Sequence, residues 1–184
     1  MRQKSHARAP IWLLPALLLI AMLAQPAAPA RAATLVVAIN SPSCSDTPGS
    51  SIFCHIQPAL NSAIAGDTIQ VADGIYPEAL SIGKDVAIVG AGAAATVVEG
   101  GVEIASAAAN VQIRGITIRG AAFSGVANRG TLTLAAAVIT GNGRSSLAGS
   151  TAGGGILNFA GARLDLLDSV VSDNVASGGG GIDN

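Results

Sequence analysis

Short segments in which apolar and polar residues alternate recur along the chain. Leu132 and Leu134 flank a threonine, and Leu164 and Leu166 flank an aspartate in the same way. A period of two residues is typical of β-strands that bury one face. The alternation is also present at 111–118, where a glycine marks a bend between two strands. The pattern predicts many short strands separated by turns.

Two stretches of the chain repeat each other closely. Residues 131–142 read TLTLAAAVITGN, and residues 163–174 read RLDLLDSVVSDN. A Gly-Ile-x-Asn ending recurs at 155–158 and 181–184, and a weaker form ends at Asn128. Such self-similarity is typical of solenoids, in which each repeat buries its apolar face by stacking on its neighbours. We therefore predict an all-β parallel β-helix of roughly five coils, stacked about 4.8 Å apart.

One segment ahead of the repeats has a helical pattern instead. Within 56–65, the residues Ile56, Leu60 and Ile64 fall on one helical face. Gly66 stands where such a helix would end. Because solenoid ends need a cap, we predict a short N-terminal capping helix.

Several motifs match a known group of proteins. The strand start Gly-Asp-Thr-Ile at 66–69, the Gly-Ile-Tyr turn at 74–76 and the Gly-Ala-Gly at 90–92 follow the predicted helix. This part of the chain resembles the cap and first coil of right-handed parallel β-helix proteins of the pectin-lyase-like superfamily. The glycine-rich repeats resemble those of its bacterial surface-exposed, adhesin-like members. The resemblance covers residues 44–184 and implies a right-handed parallel β-helix displayed outside the cell.

The first 32 residues have the layout of a signal peptide. Basic residues come first, an apolar run covers 11–24, and Ala-Arg-Ala at 30–32 supplies a small-residue cleavage site. The apolar run is shorter than the roughly 20 residues that a membrane span needs, and Pro15 interrupts it. An uncleaved anchor is the alternative. The pattern favours cleavage, and thus a secreted or surface-located chain with no membrane span after cleavage.

The net charge of the mature chain limits the classes of partner that we expect. Without residues 1–32 the chain has six basic and eleven acidic residues, a formal charge of −5. Nucleic acid is therefore not expected as a partner. The resemblance to surface-displayed proteins implies polysaccharide or cell-surface components as partners instead.

The two cysteines, Cys44 and Cys54, both lie early in the mature chain. Export implies an oxidising compartment, where an even number of cysteines favours pairing. We therefore predict a small disulfide loop within a leading segment at 33–55. This segment would connect the signal peptide at 1–32 to the β-helix domain at 56–184.

Asparagines recur at equivalent positions of the repeats. Asn142 is aligned with Asn174, and Asn128 is aligned with Asn158 and Asn184. On stacked coils, such side chains hydrogen-bond amide to amide along the axis. We therefore interpret these five asparagines as a structural ladder and not as a binding site.

The sequence identifies no catalytic residue. Lyases and hydrolases that act on carbohydrates need clustered or paired carboxylates. The nearest approach is Asp165, Asp168 and Asp173 with Arg163, but scattered acids on a solenoid strand usually serve solvation. No catalytic site is assigned to them.

Calcium is the one cofactor that the sequence leaves open, and no other is predicted. Residues 178–183 fit the Gly-Gly-x-Gly-x-Asp motif of calcium-binding β-rolls, which requires tandem copies on adjacent turns. The preceding repeat has Leu157 where a ligand would stand, so the repeat argues against a calcium site.

Two classes of function remain. The regular repeats and scattered acids favour a secreted or surface-exposed, non-catalytic β-helix scaffold for adhesion or for binding of carbohydrates or surfaces. The alternative is a polysaccharide lyase or glycoside hydrolase whose catalytic coils are partly missing. The sequence stops at Asn184, directly after a motif that elsewhere continues into strands, so we expect the chain to be C-terminally truncated.

Overall fold

The structure, a computed structural model, describes residues 32–105, 110–143, 153–177 and 179–184. Apart from Ala32, the predicted signal peptide lies outside the described residues. Within the described ranges, no helix has the length and apolar character needed to cross a membrane.

The described residues form short parallel strands and one seven-residue helix. In chain order, the elements are β1 (Thr34–Val37), β2 (Ile52–Phe53), α1 (Ile56–Ser62), β3 (Asp67–Val71), β4 (Gly74–Tyr76), β5 (Leu80–Ile82), β6 (Val86–Gly90), β7 (Thr96–Glu99), β8 (Val102–Ile104), β9 (Val111–Arg114), β10 (Thr117–Arg119), β11 (Val126–Asn128), β12 (Thr131–Ala135), β13 (Val138–Thr140), β14 (Ile156–Asn158), β15 (Arg163–Leu167), β16 (Val170–Ser172) and β17 (Ile182–Asp183). The prediction of an all-β fold with one short helix is confirmed.

Three parallel sheets make up the solenoid. Sheet A has the strand order β15-β12-β9-β6-β3-β1-β2, sheet B has the order β16-β13-β10-β7-β4, and sheet C has the order β17-β14-β11-β8-β5. From β3 onward, successive strands enter sheets A, B and C in turn. Each set of three strands is therefore one coil, and β3–β17 form five coils. This is the predicted parallel β-helix.

Aliphatic side chains fill the interior in rows that run along the solenoid axis. In sheet A, Ile69, Ile88, Ile113 and Leu134 lie in register on four successive coils. None of them is more than 2% exposed. Burial of one such side chain contributes about 1.5–3 kcal/mol. The alternating residues of each strand face outward, which is why the sequence shows a period of two.

Residues with positive φ form the corners of the coils. Gly115, Ala136 and Asp168 have φ angles of 63°, 47° and 48° at the corner between sheets A and B. Three residues repeat this at the corner between sheets B and C, with φ angles of 74°, 64° and 54°: Gly120, Gly141 and Asp173. Turns therefore separate the strands as predicted, and each of them contains a residue in the left-handed region. Non-glycine residues at such angles cost roughly 1–2 kcal/mol each, so the stacked coils must hold them in place.

The predicted helix at 56–65 is too long. The helix α1 ends before Ile64, whose side chain is 49% exposed and does not face the core. The backbone turns extended at Ala63, and the N–H of Ile64 donates to Asp67 Oδ2 at 2.9 Å instead of to a helix carbonyl. Lys84 Nζ caps the end that results, with hydrogen bonds to the carbonyl oxygens of Leu60 (3.1 Å) and Ala63 (2.7 Å). A cation at the C-terminus satisfies the last carbonyls and interacts favourably with the helix dipole.

The helix closes the N-terminal end of sheet C. Its first two N–H groups, from Ile56 and Gln57, donate to the two carboxylate oxygens of Glu78 at 2.7 and 2.8 Å. The side-chain amide of Gln57 accepts from the backbone N–H of Ser81 at 2.8 Å and donates to its carbonyl at 3.3 Å. It therefore occupies the backbone groups that an additional strand would bind on the edge strand β5.

Candidate functional site

The leading segment is tied to the solenoid by strand pairing and by a disulfide. Strand β1 pairs with β2 and β3, so the segment extends sheet A. Cys44 and Cys54 form the predicted disulfide. This bond indicates an oxidising compartment.

Asp46 organises the disulfide loop. It accepts hydrogen bonds from the backbone N–H groups of Cys54 (2.9 Å) and His55 (3.0 Å), and its Oδ2 lies 2.6 Å from Nδ1 of His55. Partial burial raises the pKa of Asp46, but the hydrogen bond from the His55 side chain and the two backbone hydrogen bonds outweigh it and hold the pKa below its ordinary value. These contacts give Asp46 and His55 a structural role in the loop.

Removal of the disulfide by the double substitution Cys44→Ser and Cys54→Ser should lower the free energy of unfolding. A loop with a sequence separation of 10 is closed by this bond, and closure of such a loop stabilises by about 2–3 kcal/mol. The urea midpoints of the oxidised wild type and the double variant measure the loss. Wild type in reducing buffer is the control and should match the variant, whereas equal midpoints in all three samples would contradict the expectation.

The structure brings one predicted row of asparagines together on sheet C. Asn128 Nδ2 donates to Asn158 Oδ1 at 2.7 Å, and Asn158 Nδ2 donates to Asn184 Oδ1 at 2.5 Å. Asn128 and Asn158 are 0% and 6% exposed. Each amide therefore bonds to the equivalent amide of the next coil.

The second predicted row lies at the corner between sheets B and C. Asn142 is 0% exposed, and its Nδ2 donates to Asn174 Oδ1 at 3.0 Å and to the carbonyl of Ile118 at 3.1 Å. Its Oδ1 accepts from the backbone N–H of Ala121 at 3.0 Å. Asn174 Nδ2 donates in turn to the carbonyl of Ile139 at 2.9 Å. The row ties the corners of three coils to one another.

Hydrogen bonds satisfy the interior polar groups in the described part of the chain. No buried side-chain nitrogen or oxygen atom there lacks a hydrogen-bond partner. The two asparagine rows therefore present no unpartnered buried group to a ligand, and their contacts are structural.

The acids considered as a catalytic cluster do not converge. Asp168 lies at the corner between sheets A and B, whereas Asp173 lies at the corner between sheets B and C. Asp165 is engaged by Arg163, whose Nε and Nη2 donate to its two carboxylate oxygens at 2.9 and 3.1 Å. That hydrogen-bonded ion pair raises the pKa of Arg163 above its ordinary value. The three acids are thus divided between two corners and one ion pair.

The calcium motif at 178–183 is only partly described, because residue 178 lies outside the described residues. Asp183 is in register with Leu157 on the preceding coil, which supplies no ligand. Among the described residues, no group of three or more His, Cys, Asp or Glu side chains could hold a metal ion.

A groove lies on the outer face of sheet C. Its floor is an outward-facing row of four residues on four coils, two of them polar and two apolar: Ser81, Glu103, Ala127 and Leu157. Its volume is about 420 Å³, within the range typical of ligand sites. Four coils span about 14 Å along the axis, from the spacing of adjacent strands.

Two phenylalanines form opposite walls of this groove. Phe123 lies in the turn before β11 and is 57% exposed, and Phe159 directly follows β14. Because the strands of sheet C are parallel, Phe123 and Phe159 follow the chain at opposite ends of the strands that make the floor. An exposed aromatic side chain on a rigid surface is a common contact for a ligand.

An ion pair adds polar groups to the groove. Arg129 Nη1 donates to Glu103 Oε1, and the same guanidinium lies over the Phe159 ring at 4.0 Å from its centroid. The cation–π contact and the ion pair together fix the orientation of Arg129. The groove thus combines the exposed Phe123 ring, and a Phe159 ring that carries Arg129 on one face, with one hydrogen-bond acceptor and one multiple donor. The formal charge of this pair is zero.

Sequence reasoning missed this groove. The floor residues come from four separate repeats and individually look like ordinary outward-facing positions. The available signal is that Phe123 and Phe159 are two of only three phenylalanines in the chain and lie in or beside turns.

Comparison of the chain with models of protein families, with curated proteins and with solved structures finds no match. The fold assignment therefore rests on the strand pairing and register described above.

Proposed function

We propose that the protein is an exported, non-catalytic β-helix scaffold of the pectin-lyase-like superfamily that binds polysaccharide or cell-surface carbohydrate through the groove on sheet C. The observation that carries the proposal is that Phe123 and Phe159 line the groove together with the Glu103–Arg129 ion pair. Sugar rings have apolar faces that pack on aromatic rings and hydroxyl groups that both donate and accept hydrogen bonds. The groove offers both kinds of contact.

The construction of the floor supports a binding role. The floor residues lie on strands of sheet C that pair in register with their neighbours. The inward-facing side chains of these strands are buried in the core. A preformed site loses little conformational entropy when a ligand binds. A row that spans several coils also suits an extended, repetitive ligand better than a compact one.

The polar groups of the groove favour binding over hydrolysis or elimination. Glu103 is the one carboxylate among the described lining residues, and it is engaged by Arg129. Glycoside hydrolysis generally uses a pair of carboxylates on either side of the scissile bond. The disulfide and the signal-peptide pattern support export, and the three-sheet solenoid with an N-terminal helix supports membership of the superfamily.

The substitution Ala127→Trp tests the proposal. Ala127 lies on the outer face of β11 at the centre of the floor, so an indole there should fill the groove without entering the core. For each polysaccharide that the wild type binds, we expect Ala127→Trp to lower the affinity by at least about tenfold, equivalent to about 1.4 kcal/mol. Co-sedimentation with insoluble polysaccharides and titration with soluble ones measure the affinity.

The matched control is Ala87→Trp, which places the same side chain on the outer face of sheet A and should leave the affinity unchanged. Equal affinities of the wild type and Ala127→Trp would show that the groove is not the site. Absence of binding by the wild type to neutral and acidic polysaccharides would refute carbohydrate binding. Release of unsaturated sugars or new reducing ends, with or without calcium, would instead establish the enzyme alternative.

A further inference from the structure

Glu103 and Arg129 are the charged residues among those that line the groove. The two side chains are 53% and 39% exposed, so both remain accessible to a bound molecule. Glu103 can only accept hydrogen bonds, whereas the guanidinium of Arg129 has only donors. An uncharged hydroxyl can satisfy both groups, because it donates to one and accepts from the other.

A carboxylate on the ligand would meet an unfavourable environment in the same place. It could accept from Arg129, but it would lie beside the Glu103 carboxylate and compete with it for the guanidinium. The rest of the chain after residue 32 adds to this repulsion, since its formal charge is −5. The stacking of Arg129 on Phe159 further limits how far the guanidinium can turn toward a new partner.

We propose that the groove is selective for uncharged polysaccharides over polyuronates and that Glu103 is the residue that determines this selectivity. The inference rests on the proposed function, since it names the ligand class of the same groove. Phe123 and Phe159 supply affinity for sugar rings of either class. Glu103 holds Arg129 in a neutral pair and thereby excludes the acidic class.

The test compares wild type and Glu103→Gln with two probes, a soluble neutral β-glucan and a polygalacturonate of matched length. The wild type should bind the glucan more tightly. Glu103→Gln removes the negative charge with almost no change in shape and frees Arg129, so affinity for polygalacturonate should rise about fivefold, the size expected for an exposed charge pair. The gain should disappear at high ionic strength, because salt screens exposed charges.

A second ion pair of this protein provides the matched control. Glu99 and Arg119 are register partners on sheet B, with Arg119 Nη2 2.7 Å from Glu99 Oε1, and they do not line the groove. Glu99→Gln makes the same change in net charge and should leave the preference unchanged. An equal gain in both variants would show a nonspecific effect of net charge and would overturn the inference.

The outcomes separate the inference from the function on which it rests. A wild-type preference for polygalacturonate, or an unchanged preference in Glu103→Gln, would overturn the selectivity while leaving carbohydrate binding intact. Failure of the wild type to bind either probe would instead count against the proposed function, as would binding that Ala127→Trp does not weaken.

Discussion

The substitution Asn142→Ala should lower the free energy of unfolding by about 3–5 kcal/mol. Its side chain is fully buried and links Ala121, Ile118 and Asn174 through hydrogen bonds. Alanine leaves the buried N–H of Ala121 without this acceptor, and each unsatisfied buried group costs roughly 1–3 kcal/mol. The missing amide also leaves a cavity, because Gly125 packs directly against it.

Urea unfolding of the wild type, Asn142→Ala and two comparison variants measures this effect. Asn174→Ala removes the next amide of the same row, which is less buried, and should cost less. Asn110→Ala changes an exposed asparagine and should have little effect. A loss for Asn142→Ala no larger than that for Asn110→Ala would show that the asparagine row does not stabilise the solenoid.

Features that depend on neighbouring residues could be predicted from the sequence. The period of two along each strand identified the buried rows, because one side of every strand faces the interior. The repeated sequence segments then showed which residues are equivalent on successive coils, including the corner residues Gly141 and Asp173. Cys44 and Cys54 were paired correctly because the chain has no other cysteines.

Features that depend on side chains distant in sequence could not be predicted in the same way. The end of α1 depends on such contacts: Asp67 accepts from the N–H of Ile64, and Lys84, which lies between β5 and β6, binds the carbonyl of Ala63. The groove depends on the register between successive coils. That register brings Arg129 into hydrogen-bond distance of Glu103 and places its guanidinium over the Phe159 ring. Composition and spacing carry little information on such contacts, since the loops between equivalent strands differ in length.

The substitution Ile88→Ala should also cost about 3–4 kcal/mol, whereas Val89→Ala on the same strand should cost less than about 1 kcal/mol. Ile88 is 0% exposed and lies in register between Ile69 and Ile113, so its loss leaves a cavity between two coils that cannot close without moving strands. Val89 faces outward and is only partly buried.

Chemical denaturation of these two variants and of Ile88→Val separates the contributions. Removal of one methyl group by Ile88→Val should cost about 0.5–1.5 kcal/mol, between the effects of the two alanine substitutions. A reversed order, with Val89→Ala more destabilising than Ile88→Ala, would place the other face of β6 toward the core. Such a register shift would move every inward side chain of this strand outward, so the comparison tests the arrangement of the solenoid directly.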